Sequence, residues 1–293
     1  MTPADLHVPD GTAVPAALGR TTDLGIGAHP DDLELFAVAP IGACAGSEHR
    51  WFTGITCTDG AGGARLGRFA DLDDAAWVAL RRDEQRRAAD IGRYAAVVQL
   101  GLPSARVRSP GGFEELVGAL AELLELTRAD TVYTHDLTDP HPTHAVVGLA
   151  VVAAVRRLAA SGRPERLLGC EGWRSLDWLA PEDRVSLDAS PHTALAEQLI
   201  GVFESQLAAK RYDLAEAGRR RSNATRSDPT TPDGATAVTL AMDLTPLVRD
   251  DTLDPVEFAR GAVERFGSQV DAAVSTAATA AGASGARPAR PRR

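Results

Sequence analysis

Short apolar runs, each closed by a polar or glycine-rich turn, alternate along this chain with longer stretches of helical period. The alternation constrains the fold more than any other feature. Strands that are apolar on both faces and joined through helices build a mostly parallel sheet with helices packed on each side. Strands are expected at residues 23–28, 50–58, 95–100, 131–135 and 166–173, with an edge strand at 185–189. Helices are expected at 75–92, where Trp77, Leu80, Ala88 and Ile91 share a face, and at 113–127, where Phe113, Leu116, Leu120, Leu123 and Leu124 do. Two more are expected at 142–160 and 191–218, and a docking helix at 255–266. The intervening segment 219–235 reads as loop. From 268 onward the chain is rich in Ala, Gly, Pro and Arg and poor in large apolar side chains, so disorder is expected there. The organisation that follows is an N-terminal extension over 1–20, one domain over 21–267 and a tail over 268–293. The fold class is α/β, a Rossmann-like, mostly parallel sheet with helices on both faces.

Charge and composition remove several partners. With 31 Lys and Arg against 40 Asp and Glu, the formal net charge is −9, which repels phosphate backbones, and aromatic residues at 5% offer little for base stacking. No nucleic-acid partner is expected. The longest apolar run, 145–155, is far short of the roughly 20 residues a membrane span needs. The first twenty residues lack a basic segment followed by an apolar one, and Cys44, Cys57 and Cys170 are dispersed in apolar surroundings, as reduced thiols would be. A cytoplasmic protein without membrane attachment is expected, and a homo-oligomer is compatible with the sequence.

In an open α/β sheet, ligands bind beyond the carboxyl ends of the strands. Two of those loops concentrate chemistry. One reads Ala28-His29-Pro30-Asp31-Asp32-Leu33-Glu34 and the other His135-Asp136-Leu137-Thr138-Asp139-Pro140-His141-Pro142-Thr143-His144; together they hold four of the seven histidines. Hydrolysis of an unactivated amide needs a Lewis acid, an activated water, a base and a proton for the departing amine. His29 and Asp32, at a strand-to-helix turn, and His144, in the first turn of another helix, present two imidazoles and a carboxylate to one ion. That set suits catalytic zinc and also iron(II). Asp31 remains free as a base, and His141 lies one helical turn before His144, placed to stabilise an oxyanion or protonate nitrogen.

These residues resemble the PIG-L/LmbE-like N-acetylglucosaminyl deacetylase family, whose signatures are AHPDDxE and HPDH. Further similarities are Thr58-Asp59-Gly60 with its glycine loop, Arg81-Arg82-Asp83-Glu84, Leu100-Gly101-Leu102-Pro103 and Ser205-Gln206, so the likeness runs from about residue 23 to 206. The resemblance implies the LmbE-like fold, zinc at His29, Asp32 and His144, Asp31 as general base, and His141 in an electrostatic or acid role. Arg81 matches a family arginine that contacts substrate. His135 reads as a substrate contact or a partner of the ligands. Glu34 reads as orienting the metal loop or capping backbone, and Asp139 as holding a loop histidine or shaping the turn before Pro140.

The chain departs from the family at two places. Thr143 stands where HPDH has aspartate, which is not a metal ligand. The loop Ser104-Ala105-Arg106-Val107-Arg108-Ser109 lacks an acidic residue that many sugar-processing relatives carry, and its arginines favour an anionic substrate instead. The expected function is zinc-dependent removal of an N-acyl group, acetyl foremost, from an amino sugar or its conjugate, a small-molecule substrate. The competing readings are an amidase for a larger acyl group on a thiol conjugate or natural product, a non-catalytic metal- or nucleotide-binding module, and iron-dependent redox chemistry.

Overall fold

Alternate residues of the central strands enter different cores, and that is why those strands read as unbroken apolar runs. Val98, Val132 and Leu167 pack on one side of the sheet. Their neighbours Val97, Tyr133 and Leu168 pack on the other. A computed structural model of the protein describes residues 4–226 and 228–283. Among the described residues there are eight strands: β1 (Asp5–His7), β2 (Asp23–Gly27), β3 (Phe52–Thr58), β4 (Ala96–Leu102), β5 (Thr131–His135), β6 (Arg166–Cys170), β7 (Arg184–Asp188) and β8 (Val238–Asp243). They form one sheet in the order β1-β4-β3-β2-β5-β6-β8-β7. The five central strands are parallel. The outer pairings β1–β4, β6–β8 and β8–β7 are antiparallel. The mostly parallel α/β architecture is therefore as expected.

Chain order positions the site. From β2 the chain moves outward through β3 and β4, then returns to lay β5 on the other side of β2. The connections leaving β2 and β5 therefore diverge at the carboxyl end of the sheet and open a crevice between them. Both histidine-bearing loops leave from these two strands. The short helix Asp32–Phe36 can settle onto the sheet because β2 and β3 present glycines beneath it. A Cβ at Gly54 would stand 2.7 Å from a Leu33 methyl carbon, and one at Gly27 would stand 3.0 Å from the Asp32 Cβ.

Several local expectations are corrected. The helix expected at 191–218 is three helices, Thr193–Gly201, Glu204–Leu207 and Tyr212–Thr225. The interruption after Gly201 is set by a tertiary contact: buried Glu84 accepts hydrogen bonds from the Ser205 amide at 2.9 Å and the Ser205 hydroxyl at 2.5 Å. The last of the three continues to Thr225, so the expected loop at 219–235 begins late. The segment 1–20 includes edge strand β1, held by Asp5, which accepts from Arg86 Nε at 2.9 Å and Gln99 Nε2 at 3.1 Å. Strand β8, absent from the sequence reading, completes the far edge of the sheet with β7. The docking helix runs Pro255–Ala280, well past residue 268, where disorder was expected. Its extension is alanine-rich, and alanine has the highest intrinsic helix propensity, which the count of missing apolar side chains overlooked. Residues 284–293 of the expected tail lie outside the described residues. Among the described residues, no helix is long and apolar enough to cross a membrane.

Candidate metal centre and active site

The turn after β2 brings His29 and Asp32 together before any distant contact is made. The His29 amide donates to Asp32 Oδ2 at 2.6 Å, and His29 Nδ1 lies 3.2 Å from the same oxygen. His144, in the first turn of the helix Pro142–Arg157, enters from the neighbouring loop. Its Nε2 stands 3.2 Å from His29 Nδ1 and 3.5 Å from Asp32 Oδ1. Ligands held about 2.0–2.1 Å from a tetrahedral zinc ion are roughly 3.3–3.4 Å from one another. The separations among these three residues are close to those edges, with a different Asp32 oxygen nearest each imidazole, and two imidazoles with a carboxylate suit a divalent ion.

His144 also belongs to two further triplets whose ligand atoms lie within 4.8 Å of one another, His29–His141–His144 and Asp32–His135–His144. The second is the weaker candidate because His135 Nε2 already accepts the Ala28 amide at 3.0 Å. His135 is buried, stacked on His144 with centroids 3.8 Å apart and 19° between planes, and edge-on to Phe36 at 5.2 Å. It braces His144 from beneath, and the burial leaves it less open to substrate than the sequence reading supposed. Burial and the neighbouring His144 charge push its pKa down to about 4, so it stays neutral.

Burial would raise the Asp32 carboxyl, but the surrounding imidazoles of His144, His135 and His29 hold it well below the usual carboxylate range. Asp31, one residue earlier, behaves oppositely. Burial pushes it up to about 7, with the Asp32 charge adding and the Arg81 guanidinium opposing. Its backbone is left-handed, with φ of 97°, an uncommon conformation for a non-glycine residue. The Asp31 amide donates to Gln85 Oε1 at 3.1 Å. Gln85 Nε2 donates to Glu34 at 2.8 Å, and the Tyr94 hydroxyl donates to the same Glu34 oxygen at 2.7 Å. Glu34 thus holds the metal loop through Gln85, and burial pushes its own carboxyl up to about 8.

Arg81 is buried inside the site rather than solvated on its helix. It donates to the Pro30 and Gly60 carbonyls, and its Nη2 lies 3.3 Å from Asp31 Oδ1. Asp139 ties the second loop together. Its Oδ1 accepts the His141 amide at 2.7 Å, its Oδ2 accepts the Trp173 amide at 2.8 Å, and the latter oxygen is 3.4 Å from His144 Nδ1. Gly172 makes room for this, since a Cβ there would be 2.5 Å from Asp139 Oδ2. His141 sits edge-on to His29 at 5.0 Å and tilted on His144 at 4.4 Å. Burial, with the charges of His144 and His29, pushes it down to about 4. Thr143 is buried in the same turn.

His29, Asp31, Asp32, Arg81, His135, His141 and His144 line one cavity of about 630 Å³, and Glu34 and Asp139 support it from behind. The walls include Gln206, from the Ser205-Gln206 pair that the resemblance singled out, and residues the sequence reading passed over: Trp173, Lys210, Tyr212, Glu216 and Arg219. Trp173 follows a strand end, the same signal that singled out the other two loops. Lys210 and Tyr212 were hidden inside what read as one long helix.

The family model described as GlcNAc-PI de-N-acetylase, PIG-L, matches residues 24–155, which contain both loops. Residues 24–155 are a PIG-L family domain. No curated protein sequence matches the chain. Among solved structures, the chain resembles GalB, the 4-carboxy-2-hydroxymuconate hydratase of Pseudomonas putida, with 18% identity, TM-score 0.62, and coverage of 76% of this chain and 96% of that one. A conserved protein of Thermus thermophilus matches with 21% identity, TM-score 0.60 and coverage of 76% and 94%. The N,N'-diacetylchitobiose deacetylase of Pyrococcus horikoshii matches with 18% identity, TM-score 0.59 and coverage of 78% and 86%. At these identities the likeness is one of fold.

Proposed function

We propose that the protein is a metal-dependent hydrolase that removes an N-acyl group, acetyl foremost, from an amino sugar or amino-sugar conjugate. The observation that carries this reading is the convergence of His29, Asp32 and His144 at 3.2–3.5 Å beside a spare buried carboxylate, Asp31. It is supported by the family description, GlcNAc-PI de-N-acetylase. A fold shared with a diacetylchitobiose deacetylase agrees with it. The cavity of about 630 Å³ lies within the roughly 300–1,000 Å³ of small-molecule sites.

A zinc ion, with iron(II) as the alternative, held by His29, Asp32 and His144 would polarise the acyl carbonyl and make water a competent nucleophile near neutral pH. Asp31 takes a proton from the attacking water as its oxygen bonds to the acyl carbon, and delivers it to nitrogen as the C–N bond breaks. The products are the free amine and the carboxylic acid. Arg81 holds the Asp31 carboxylate toward the cavity and forms part of the cavity wall. His141 donates its ring N–H to the carbonyl oxygen as negative charge develops there. Asp139 and Glu34 keep the two loops in register, and His135 keeps the His144 ring from turning.

Amine release from N-acetylated amino sugars and their conjugates tests this, with metal-free protein, zinc-restored protein and Asp31→Asn of matched metal content. Zinc-dependent release that collapses in Asp31→Asn is expected. Protein that binds no divalent ion, or turnover indifferent to Asp31, would overturn the reading.

A further inference from the structure

The helix Pro255–Ala280 covers one of its sides and leaves another bare. Ala262 is buried, Phe258 packs against the main core, and Arg265 holds Asp183 at 2.7 and 2.8 Å. On an adjoining side Val256, Val263, Val270 and Val274 are 43–62% exposed, and Phe266 is 38% exposed beside Trp178. These are five of the eleven large apolar side chains exposed among the described residues, gathered on a single helix. Apolar surface concentrated in this way marks a contact site, where scattered exposed residues would not. From 267 to 280 the helix has no buried side chain. A helical segment of about 12–15 residues is marginal in water when nothing packs along it, so a partner on this stripe would supply support that the domain does not.

The spacing specifies the kind of partner. Val256, Val263, Val270 and Ala277 lie seven residues apart. Ala259, Phe266, Ala273 and Ala280 follow them at three residues' distance. Apolar residues alternating three and four apart form a seam that closes on another helix of the same pattern. The seam is self-complementary, so a second copy of this chain fits it about a two-fold axis. The five exposed side chains offer roughly 400 Å² per copy, and with the alanines between them a pair closes over on the order of 1,200 Å², the lower bound for a specific interface. A lipid surface is a poorer match. The exposed polar side carries Glu257, Glu264 and Asp271 against Arg260, without the basic face that holds a helix on anionic lipid.

Charge sets the direction of the pair. Asp250 and Asp254, at the start of the helix, accept backbone amides and a threonine hydroxyl, and among the described residues neither is ion-paired. The sequence beyond the described residues carries Arg287, Arg290, Arg292 and Arg293. An antiparallel pair directs the basic end of one copy toward the acidic start of the other, whereas a parallel pair sets like charges together. We propose that two copies of this chain associate through an antiparallel pair of these helices, with Val263 of one copy against Ala273 of the other and Val270 against Phe266.

Sedimentation velocity of the full-length chain, followed from roughly 1 µM to roughly 300 µM, should show monomer passing to dimer with a dissociation constant on the order of 10 µM. The double variant Val263→Lys/Val270→Lys buries unpaired charge in the seam and should raise that constant by about tenfold or more. Ser275→Lys, on the exposed polar side, should leave it unchanged. In dilute protein the copies are apart, and there the double variant should melt with the parent because neither valine packs on the domain. Oxidation should join a mixture of Val263→Cys and Ala273→Cys proteins into a covalent dimer and leave each variant alone unlinked, because an antiparallel pair holds identical positions about 15 Å apart along the axis. The native cysteines are buried and do not interfere. A monomer at every concentration, or a dimer indifferent to the two lysines, overturns the proposal. Self-linkage of Val263→Cys refutes the antiparallel direction. Co-sedimentation of an otherwise monomeric chain with phosphatidylcholine–phosphatidylserine vesicles would assign the stripe to lipid and overturn the proposal as well.

Discussion

Asp139→Asn is the most informative single substitution, because one carboxylate here serves two backbone amides and a metal-site imidazole. The side chain is fully enclosed, and its two oxygens accept the His141 and Trp173 amides at 2.7 and 2.8 Å. An asparagine has one carbonyl oxygen, so one of those amides must face an NH2 group. A buried donor left without an acceptor costs about 1–3 kcal/mol, and that is the expected loss of stability in the metal-free protein. The same oxygen that takes the Trp173 amide lies 3.4 Å from His144 Nδ1. A carboxylate behind a ligating imidazole sets its tautomer and basicity, and its loss typically lowers metal affinity by roughly 10–100-fold. Urea unfolding of the metal-free protein would read the first quantity, and competition with a chromophoric zinc chelator the second. A variant that loses stability as expected but keeps zinc affinity within about twofold would show that Asp139 only clips the loop, and would refute its assigned action on His144.

Gly172→Ala approaches the same carboxylate sterically, since its Cβ would fall 2.5 Å from Asp139 Oδ2; it should lower zinc affinity in the same direction, and unchanged affinity would mean the loop yields without moving Asp139. Glu216 is pushed up to about 7 by burial, against the pull of Arg219 and Arg220. A carboxyl whose folded pKa is raised binds more protons folded than unfolded between its ordinary range and pH 7, so stability falls as pH rises through that window. Glu216→Gln should therefore gain thermal stability over the parent at pH 8 and not at pH 4, and a pH-independent difference would exclude this linkage. Removing residues 268–293 should shift the melting temperature of the domain by no more than about 2 °C, because the described part of that segment contributes no buried side chain; a larger drop in a thermal melt would mean the helix end is supported by contacts outside this chain.

Much of this protein can be read from local pattern. Alternation of apolar runs and helical periods specified a mostly parallel α/β sheet, because strands covered on both faces tolerate no polar side. The metal-ligand candidates were legible for a similar reason: His29 and Asp32 share one turn, His141 and His144 share one helix start, and both turns leave strand ends. Other features depend on partners distant in sequence. Whether Arg81 is a surface charge or a buried group against Asp31 was decided by the glycine loop at Gly60 folding over it. His135 lies under His144 because β5 ends beside β2, not because of its neighbours in the chain. The break near Ser205 follows from Glu84, 121 residues away. Local propensity and spacing determined which chemistry the chain could assemble, and tertiary packing decided which charges and rings were left facing the cavity.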